Sequence, residues 1–470
     1  MEKVLLLNPP GDKLYQRDMY CSAISKANYY WPPIDLLILS GLLKPYFDID
    51  VLDCITEKLS PEKSLERITQ KKYKAIIFLT GTASWKKDFQ FLARIKKISP
   101  ETLIIGNGDI LLFKHQYFLE VYDFLDGVIL DYTDSSIIDF LKKDFSSLRA
   151  FAWRENNHIV SRLSPSKEKE FSYPVPLHDK FPLKKYLLAQ GKRFPFTTVQ
   201  TSFGCPFHCT FCIASTLGFK VRSIENVIKE LKFISSLGIK EVFFADFTFE
   251  ARRKNTIQLC SRIIEEGIDL TWSCSSRANL LDYELLSLMK KAGCHTVLIG
   301  VESGEEKLLR KYSKGVTLAQ IEQAFELCKK LKIRTLGHFI IGLPGETQES
   351  VKKTIELAKR LKCDLASFNI AVPPVGTKLR SMAVEKGWLK DEELEFDSSE
   401  SYPVMETSTF SKEDAWKWRK KAVRSFYFRP GYLIKNIFTP RSSYEWRIVL
   451  NNGIALMEKY LWPKFMRSTK

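Results

Sequence analysis

Three cysteines in one short loop hold the most reactive chemistry in this sequence. In Gly204-Cys205-Pro206-Phe207-His208-Cys209-Thr210-Phe211-Cys212 the thiols follow the spacing C-x3-C-x2-C. Thiolates that close together suit iron or zinc better than disulfides. Iron–sulfur clusters are held by Cys thiolates in short-spaced runs of this kind, and three ligands would leave one metal of a cubane open to an outside ligand. The competing reading is a zinc site whose fourth ligand lies elsewhere. His208 is poorly placed for that role, because it adjoins Cys209 and must share a tetrahedral site with all three thiolates. The other seven cysteines (Cys21, Cys54, Cys260, Cys274, Cys294, Cys328 and Cys363) form no second cluster and read as small buried side chains.

Such a loop needs a rigid rim, and residues 196–384 supply one by repeating a strand–helix unit. The strand Thr197 to Thr201 delivers the cysteines. Five more strands follow, at Glu241 to Ala245, Leu270 to Ser275, His295 to Gly300, Arg334 to Ile341 and Leu365 to Ala371, with amphipathic helices between them. Six units predict a partial βα barrel whose chemistry sits at the C-terminal strand ends. At those ends stand Asp246, Arg277, Glu302 with Ser303, and Gly342 with Gly345; Lys314 follows in a loop. In this register Arg277 points into the cavity, where it could pair with a carboxylate. Asp246 either reaches a ligand or caps its own loop. Gly342 and Gly345 let backbone approach a planar ligand with no Cβ in the way.

Residues 1–145 alternate strand and helix as well, and read as a doubly wound, Rossmann-like parallel sheet of five strands. Its ligand-facing ends are Asn8-Pro9-Pro10-Gly11, Thr80 to Ser84, Gly106-Asn107-Gly108-Asp109 and Asp131 to Asp134. Residues 146–195 read as a proline-rich linker holding a small hairpin that turns at Asn156-Asn157. Residues 385–470 read as helical and aromatic. The fold class is therefore α/β: a Rossmann-like sheet, a six-stranded partial barrel and a helical C-terminal region.

The cysteine loop and the strand ends together resemble the radical S-adenosylmethionine (SAM) enzymes. The resemblance implies a 4Fe–4S cluster on Cys205, Cys209 and Cys212 that cleaves SAM to methionine and a 5′-deoxyadenosyl radical. It also implies that Phe211 packs beside the adenine, Gly342 lines it, Glu302 bonds SAM amine or hydroxyl groups, and Lys314 lies near the SAM carboxylate. Asp246 and Arg277 complete the expected cofactor shell, and Ser303 continues a Glu-Ser-Gly turn. The N-terminal half resembles the cobalamin-binding domain of one subclass, on Asn8-Pro9-Pro10 and Trp31-Pro32-Pro33. The Asp-x-His-x-x-Gly motif is absent, so cobalamin would be held without a histidine on cobalt; the alternative is a scaffold that has lost its cofactor. The activity implied is cobalamin-dependent C-methylation of an unactivated carbon. The runner-up is a cyclase or oxidoreductase acting on a tetrapyrrole-like or lipid substrate. From other classes come an RNA-modifying methylthiotransferase, which would need a second cysteine triad, and a non-catalytic Fe–S protein.

Composition bounds the partners. The formal charge is +17, from 72 basic and 55 acidic residues. No uninterrupted apolar run approaches the ~20 residues that cross a bilayer. The N-terminus, with its short apolar run ending at Pro9-Pro10, does not read as a signal peptide. A reducing, cytoplasmic setting is expected, with a small-molecule or lipid-like substrate and an electron donor such as flavodoxin or ferredoxin. The basic, aromatic C-terminal region reads first as a plain basic surface, with a substrate patch or peripheral membrane association as the alternatives, and nucleic acid is not favoured.

Overall fold

β1 (Lys3–Asn8) is apolar almost throughout because helices cover both of its faces. The computed structural model describes residues 1–18, 21–156, 158–163, 169–397, 403–438 and 442–460. Asn157 of the expected hairpin turn and the side chain of Cys21 lie outside the described residues. After β1 come the short strands β2 (Tyr15–Asp18) and β3 (Cys21–Ile24), then β4 (Asp48–Asp53), β5 (Ala75–Leu79), β6 (Leu103–Asn107) and β7 (Gly127–Ile129). The sheet order is β4-β1-β5-β6-β7, parallel throughout. Strand order reverses between β1 and β5, which is where ligands of such sheets bind beyond the carboxyl ends.

Two features of this half were not read from the sequence. The hairpin of β8 (Ala150–Glu155) and β9 (His158–Leu163) is no free-standing part of a linker. It pairs antiparallel onto β7 and widens the sheet to seven strands. Its Phe151 and Trp153 need that cover, and both are buried. The second feature is the hairpin β2–β3, which carries Arg17 into the β1/β5 crevice. The Arg17 guanidinium is fully buried. It donates to Asp88 Oδ1 (2.6 Å), Ser84 Oγ (2.8 Å), Asn8 Oδ1 (2.8 Å) and the Pro9 carbonyl (2.8 Å).

Then β10 (Glu170–Phe171), β11 (Phe196–Val199), β12 (Ser202–Gly204) and β13 (Phe219–Arg222) lead into the second half. β11 opens a six-stranded parallel sheet, continued by β14 (Glu241–Phe244), β15 (Thr271–Ser276), β16 (Cys294–Glu302), β17 (Arg334–Ile341) and β18 (Leu365–Ile370), adjacent in that order. Four of the intervening helices start at side-chain caps, where Ser223, Asp282, Thr317 and Thr347 each accept an N–H of the first turn; the helix Arg253–Glu265 has none. Outward residues such as Val242, Trp272, Val297 and Phe339 are buried under those helices. Inward residues Ser275, Gly300, His338, Ser367 and Asn369 stay partly exposed, so the concave side is an open cavity.

An open barrel leaves β18 as an edge, and the C-terminal region covers it. The helix Lys412–Tyr427 lies along that strand. Tyr427 Oη donates to the Ala366 carbonyl (2.6 Å) and accepts from the Ala366 N–H (3.0 Å). Arg419 Nε donates to the Phe368 carbonyl, and Tyr432 Oη to the Asp364 carbonyl. The aromatic tail thus serves the strand edge. No helix of the described residues is long and apolar enough to cross a membrane.

The two halves meet by their strand ends. Tyr132, just past β7, donates to Gln200 Oε1 beyond β11 (3.1 Å), and Lys220 of β13 pairs with Asp131 (2.7 Å). The Phe396 N–H reaches the Thr82 carbonyl (3.1 Å).

Candidate functional site

The cysteine loop is fixed from beneath by Asp246. Its carboxylate accepts from the Thr201 N–H (3.0 Å) and hydroxyl (3.1 Å), and from the Ser202 N–H and hydroxyl (2.7 Å). Burial pushes this carboxyl up to about 6. Both oxygens serve the turn between β11 and β12, the capping arrangement of the two expected for Asp246. Gly204 then turns the chain with φ +72°, and a Cβ there would stand 2.0 Å from the Gly218 carbonyl oxygen. Only glycine fits that crossing. The loop is tied down further by Thr210 N–H to the Tyr312 carbonyl (3.1 Å) and Leu379 N–H to the Thr210 carbonyl (3.0 Å).

Within this frame the three thiols are free and undisulfided. Cys205 Sγ faces Thr248 Oγ1 at 3.7 Å, and Cys209 Sγ accepts from Arg277 Nη1 at 3.4 Å. Burial pushes the Cys212 thiol up to about 12. His208 is exposed on the loop. Among the described residues no three His, Cys, Asp or Glu side chains are gathered closely enough for a single metal ion. Three free thiols on one short loop are the donor set that an iron–sulfur cluster takes.

Arg277 lies at the end of β15, and its pairing differs from the expected carboxylate. Its guanidinium donates to Cys209 and to the Lys314 carbonyl, and stacks 3.9 Å over the Phe207 ring. A buried cation against a cluster ligand favours the thiolate over the thiol. Next to it, Lys314 Nζ donates to Glu302 Oε1 at 2.7 Å, both side chains being about nine-tenths buried. Glu302 sits at an irregularity in the β16–β17 register with φ +64°, a strained conformation for a residue with a Cβ. Gly300 makes room for the pair, since a Cβ there would lie 2.5 Å from Glu302 Oε1 and 2.6 Å from Lys314 Nζ. Three sequence candidates therefore converge beside the cysteines.

The remaining candidates are distributed differently. Phe211 packs against Tyr312 and the cluster containing Leu343, at the rim of the site. Ser303 is turned away, its hydroxyl accepting from Glu305 N–H and facing Thr354. Along this strand Val297, Ile299 and Val301 face the helices and Leu298 and Gly300 the other side, so unbroken alternation turns Glu302 in and Ser303 out. Gly342 has φ +93°, and the group nearest its missing Cβ is Ala415 of the C-terminal helix, at 3.2 Å. The close approach it permits is that of the helix Lys412–Tyr427.

Two cavity residues were missed from the sequence. Lys26, just past β3, reaches across to β18 and donates to Ser367 Oγ (2.7 Å) and Asn369 Oδ1 (2.5 Å). His338, partly exposed, projects from β17, and desolvation with the nearby Lys26 and Lys314 pushes its pKa below the usual imidazole value. Its inward alternation with Leu336 and Ile340 was a readable signal; Lys26 had none.

Comparison with known proteins bears on this arrangement. Residues 199–358 match the radical SAM superfamily. A protein of Pyrococcus horikoshii named uncharacterized methyltransferase PH0819 is 33% identical over 454 residues, covering 93% of this chain and 95% of that one. The anaerobic magnesium-protoporphyrin IX monomethyl ester cyclase of Cereibacter sphaeroides is 24% identical over 92% of this chain and 70% of its own. Among solved structures, the radical SAM methyltransferase TsrM of Kitasatospora setae, with cobalamin and a 4Fe–4S cluster bound, superposes with a TM-score of 0.67 at 15% identity. The match covers 97% of this chain and all of that one. Apo OxsB, a cobalamin-dependent SAM radical enzyme, gives 0.69 at 16% identity, covering 97% and 72%. These two share the fold of both halves. With three free thiols framed at one end of a six-stranded parallel barrel, and a near full-length relative at one-third identity, the chain belongs to the radical SAM superfamily.

Proposed function

We propose that this enzyme is a cobalamin-dependent radical SAM methyltransferase acting on an unactivated carbon. The observation that carries the reading is the meeting of strand ends, where Asp131 and Tyr132 of the first sheet touch Lys220 and Gln200 beside the cysteine loop. That arrangement allows two cofactors to face one another across a single cavity. The name of the near full-length relative supports the reading too.

Cys205, Cys209 and Cys212 would hold the cluster, and Glu302 and Lys314 the polar groups of SAM. The strand ends of the first sheet would hold cobalamin. Buried there without a hydrogen-bond partner are Asn107 Oδ1 and Gln16 Nε2, amide groups that match the amide fringe of a corrinoid. No histidine stands at those ends; His115 bonds the Leu112 carbonyl and faces Ser161. Cobalt would take no imidazole from this chain. When bound, the cluster supplies the electron that splits SAM, and cobalamin relays the methyl group. Arg277 keeps a positive charge against Cys209, Gly300 keeps the Glu302–Lys314 pair in place, and the covered β18 edge keeps water out of the cavity wall. A small-molecule or lipid-like substrate, a flavodoxin- or ferredoxin-like electron donor and a reducing cytoplasmic setting belong to the same reading.

The test is anaerobic reconstitution with cluster and hydroxocobalamin, followed by assay with methyl-labelled SAM. Formation of both 5′-deoxyadenosine and S-adenosylhomocysteine, with cobalamin retained, is expected. 5′-Deoxyadenosine without label transfer to any acceptor would move the reading to the cyclase class, which the magnesium-protoporphyrin relative represents.

Glu302 gives a sharper check. A charge-assisted hydrogen bond is worth about 1.5–3 kcal/mol. Glu302→Gln is therefore expected to weaken SAM binding about tenfold or more, with iron content unchanged. Glu302→Ala should do worse, since it also leaves Lys314 buried and unpaired. Calorimetry on reconstituted protein reads both; unchanged affinity would reduce Glu302 to a rim ion pair.

A further inference from the structure

The end of the barrel opposite the cysteine loop carries a surface that the fold does not explain. Of the sixteen exposed large apolar side chains among the described residues, six fall between 433 and 457: Leu433, Ile434, Trp446, Leu450, Ile454 and Met457, each 37–57% exposed. Four of them lie on the helix Ser443–Tyr460 at spacings of four, four and three residues, which is one stripe. The same helix already has an inward stripe. Tyr444 packs on Phe194, Ile448 and Ala455 are buried, and Asn452 Nδ2 donates to the Ala189 carbonyl. The two stripes are offset by two residues, about 200° around the helix. A helix seated on a barrel normally turns a polar face to water. This one is apolar on both sides.

Basic side chains gather beside the neighbouring helix Pro430–Phe438, which carries Leu433 and Ile434. Lys435 and Asn436 of that helix share a small cleft with Ile448 and Asn452 of the inward stripe, where Lys435 pairs with Asp364 and Arg334 with Glu445, so the two helices lie side by side. The cleft adjoins a cavity of about 610 Å³ at the starts of β17 and β18. Its lining includes Lys329, Lys332, Arg334, Lys362, Arg429 and Lys435 against a single acid, Asp364. Such a cavity accepts anions. A second copy of this chain is a poor occupant, because a two-fold interface would set the same cations against themselves. Exposed Trp and Leu beside clustered Lys and Arg fit an anionic bilayer surface, with apolar side chains in the acyl boundary and headgroup phosphates against the cations.

We infer that the C-terminal helices Pro430–Phe438 and Ser443–Tyr460, together with the cationic cavity beside them, dock this enzyme on an anionic phospholipid membrane. The inference is independent of which reaction the barrel catalyses. The cationic cavity lies at the starts of β17 and β18, the end of the sheet opposite the cysteine loop.

The test is co-sedimentation of the full chain, anaerobically purified with its cluster, with vesicles of pure phosphatidylcholine or of phosphatidylcholine containing 30% phosphatidylglycerol. Binding to the anionic vesicles is expected to be at least ~10-fold tighter than to the neutral ones, and to weaken with added salt. Trp446→Glu with Leu450→Glu, and separately Lys329→Glu with Lys362→Glu, should each weaken it ~10-fold. Circular dichroism and iron content identify any variant that fails to fold, and the exposed lysine pair keeps the test open if the stripe variant does. No binding by the native chain overturns the inference, as does binding that neither pair of substitutions alters. A dimer by sedimentation velocity that Trp446→Glu with Leu450→Glu disperses, without vesicle binding, would assign the stripe to self-association instead.

Discussion

Replacing Cys205, Cys209 or Cys212 singly by alanine is expected to abolish 5′-deoxyadenosine formation and to strip the protein of most of its iron. Two thiolates cannot hold a cubane whose fourth iron is already left for SAM. The loop itself should survive, because its backbone is tied through Gly218, Tyr312 and Leu379 rather than through the sulfurs. Cys260→Ala is the matched control: that thiol is buried against the outer face of the barrel and should keep its iron. Iron and sulfide content, read beside circular dichroism and product formation, separates loss of the cluster from loss of the fold. A triple variant that still bound iron and cleaved SAM at the native rate would sink the assignment.

The second large effect is expected far from the cysteines. Arg17→Ala should destabilise the first sheet by about 3–5 kcal/mol, because it leaves Asp88 buried without its charge partner. Both side chains are completely inaccessible. Burial already holds the Asp88 carboxyl above its usual range, despite the opposing pull of Arg17. Removing Arg17 raises it further. A carboxyl raised on folding favours the folded state at low pH and loses that advantage as pH climbs through its folded value. The deficit of Arg17→Ala should therefore be smaller at pH 5 than at pH 8. Replacing both partners by apolar residues, Arg17→Met with Asp88→Leu, should cost much less than either single change. Urea midpoints for the native protein, Arg17→Ala, Arg17→Met, Asp88→Leu and the double variant at the two pH values decide it; equal deficits of Arg17→Ala at both would mean that the cost lies in packing, not charge.

Much of this architecture is legible in the sequence because its strands are continuous apolar runs. Ala75 to Leu79 has no polar residue at all, as a strand covered on both faces requires. The β2–β3 hairpin is not legible. Tyr15-Gln16-Arg17-Asp18 is short and polar, and it is held by partners on β1 and at Ser84 and Asp88 rather than by its own pattern. A charged residue reads as exposed, so Arg17 gives no sign of lying in the crevice. At the site, residue types at strand ends identified Glu302, Lys314 and Arg277. Direction was harder. A strand alternates its faces, which puts Glu302 with Gly300 on the cavity side and turns Ser303 to the helix that carries Thr354. Gly342 shows the same limit, since its positive φ serves an approach by a helix some seventy residues later in the chain.

The contacts that seal the first sheet also set the order in which this chain can fold. The Ile24 N–H is bonded to Asp397, 373 residues away, and Lys459 Nζ closes on the Lys26 carbonyl across 433 residues. At synthesis rates of about 5–20 residues per second, the hairpin over the β1/β5 crevice waits roughly 20–75 s for its acidic partner to leave the ribosome. During that interval the crevice is covered on one side only. Until then the Thr82 carbonyl and the Ile24 N–H, which Phe396 and Asp397 satisfy in the finished fold, must be served by water or by other parts of the chain.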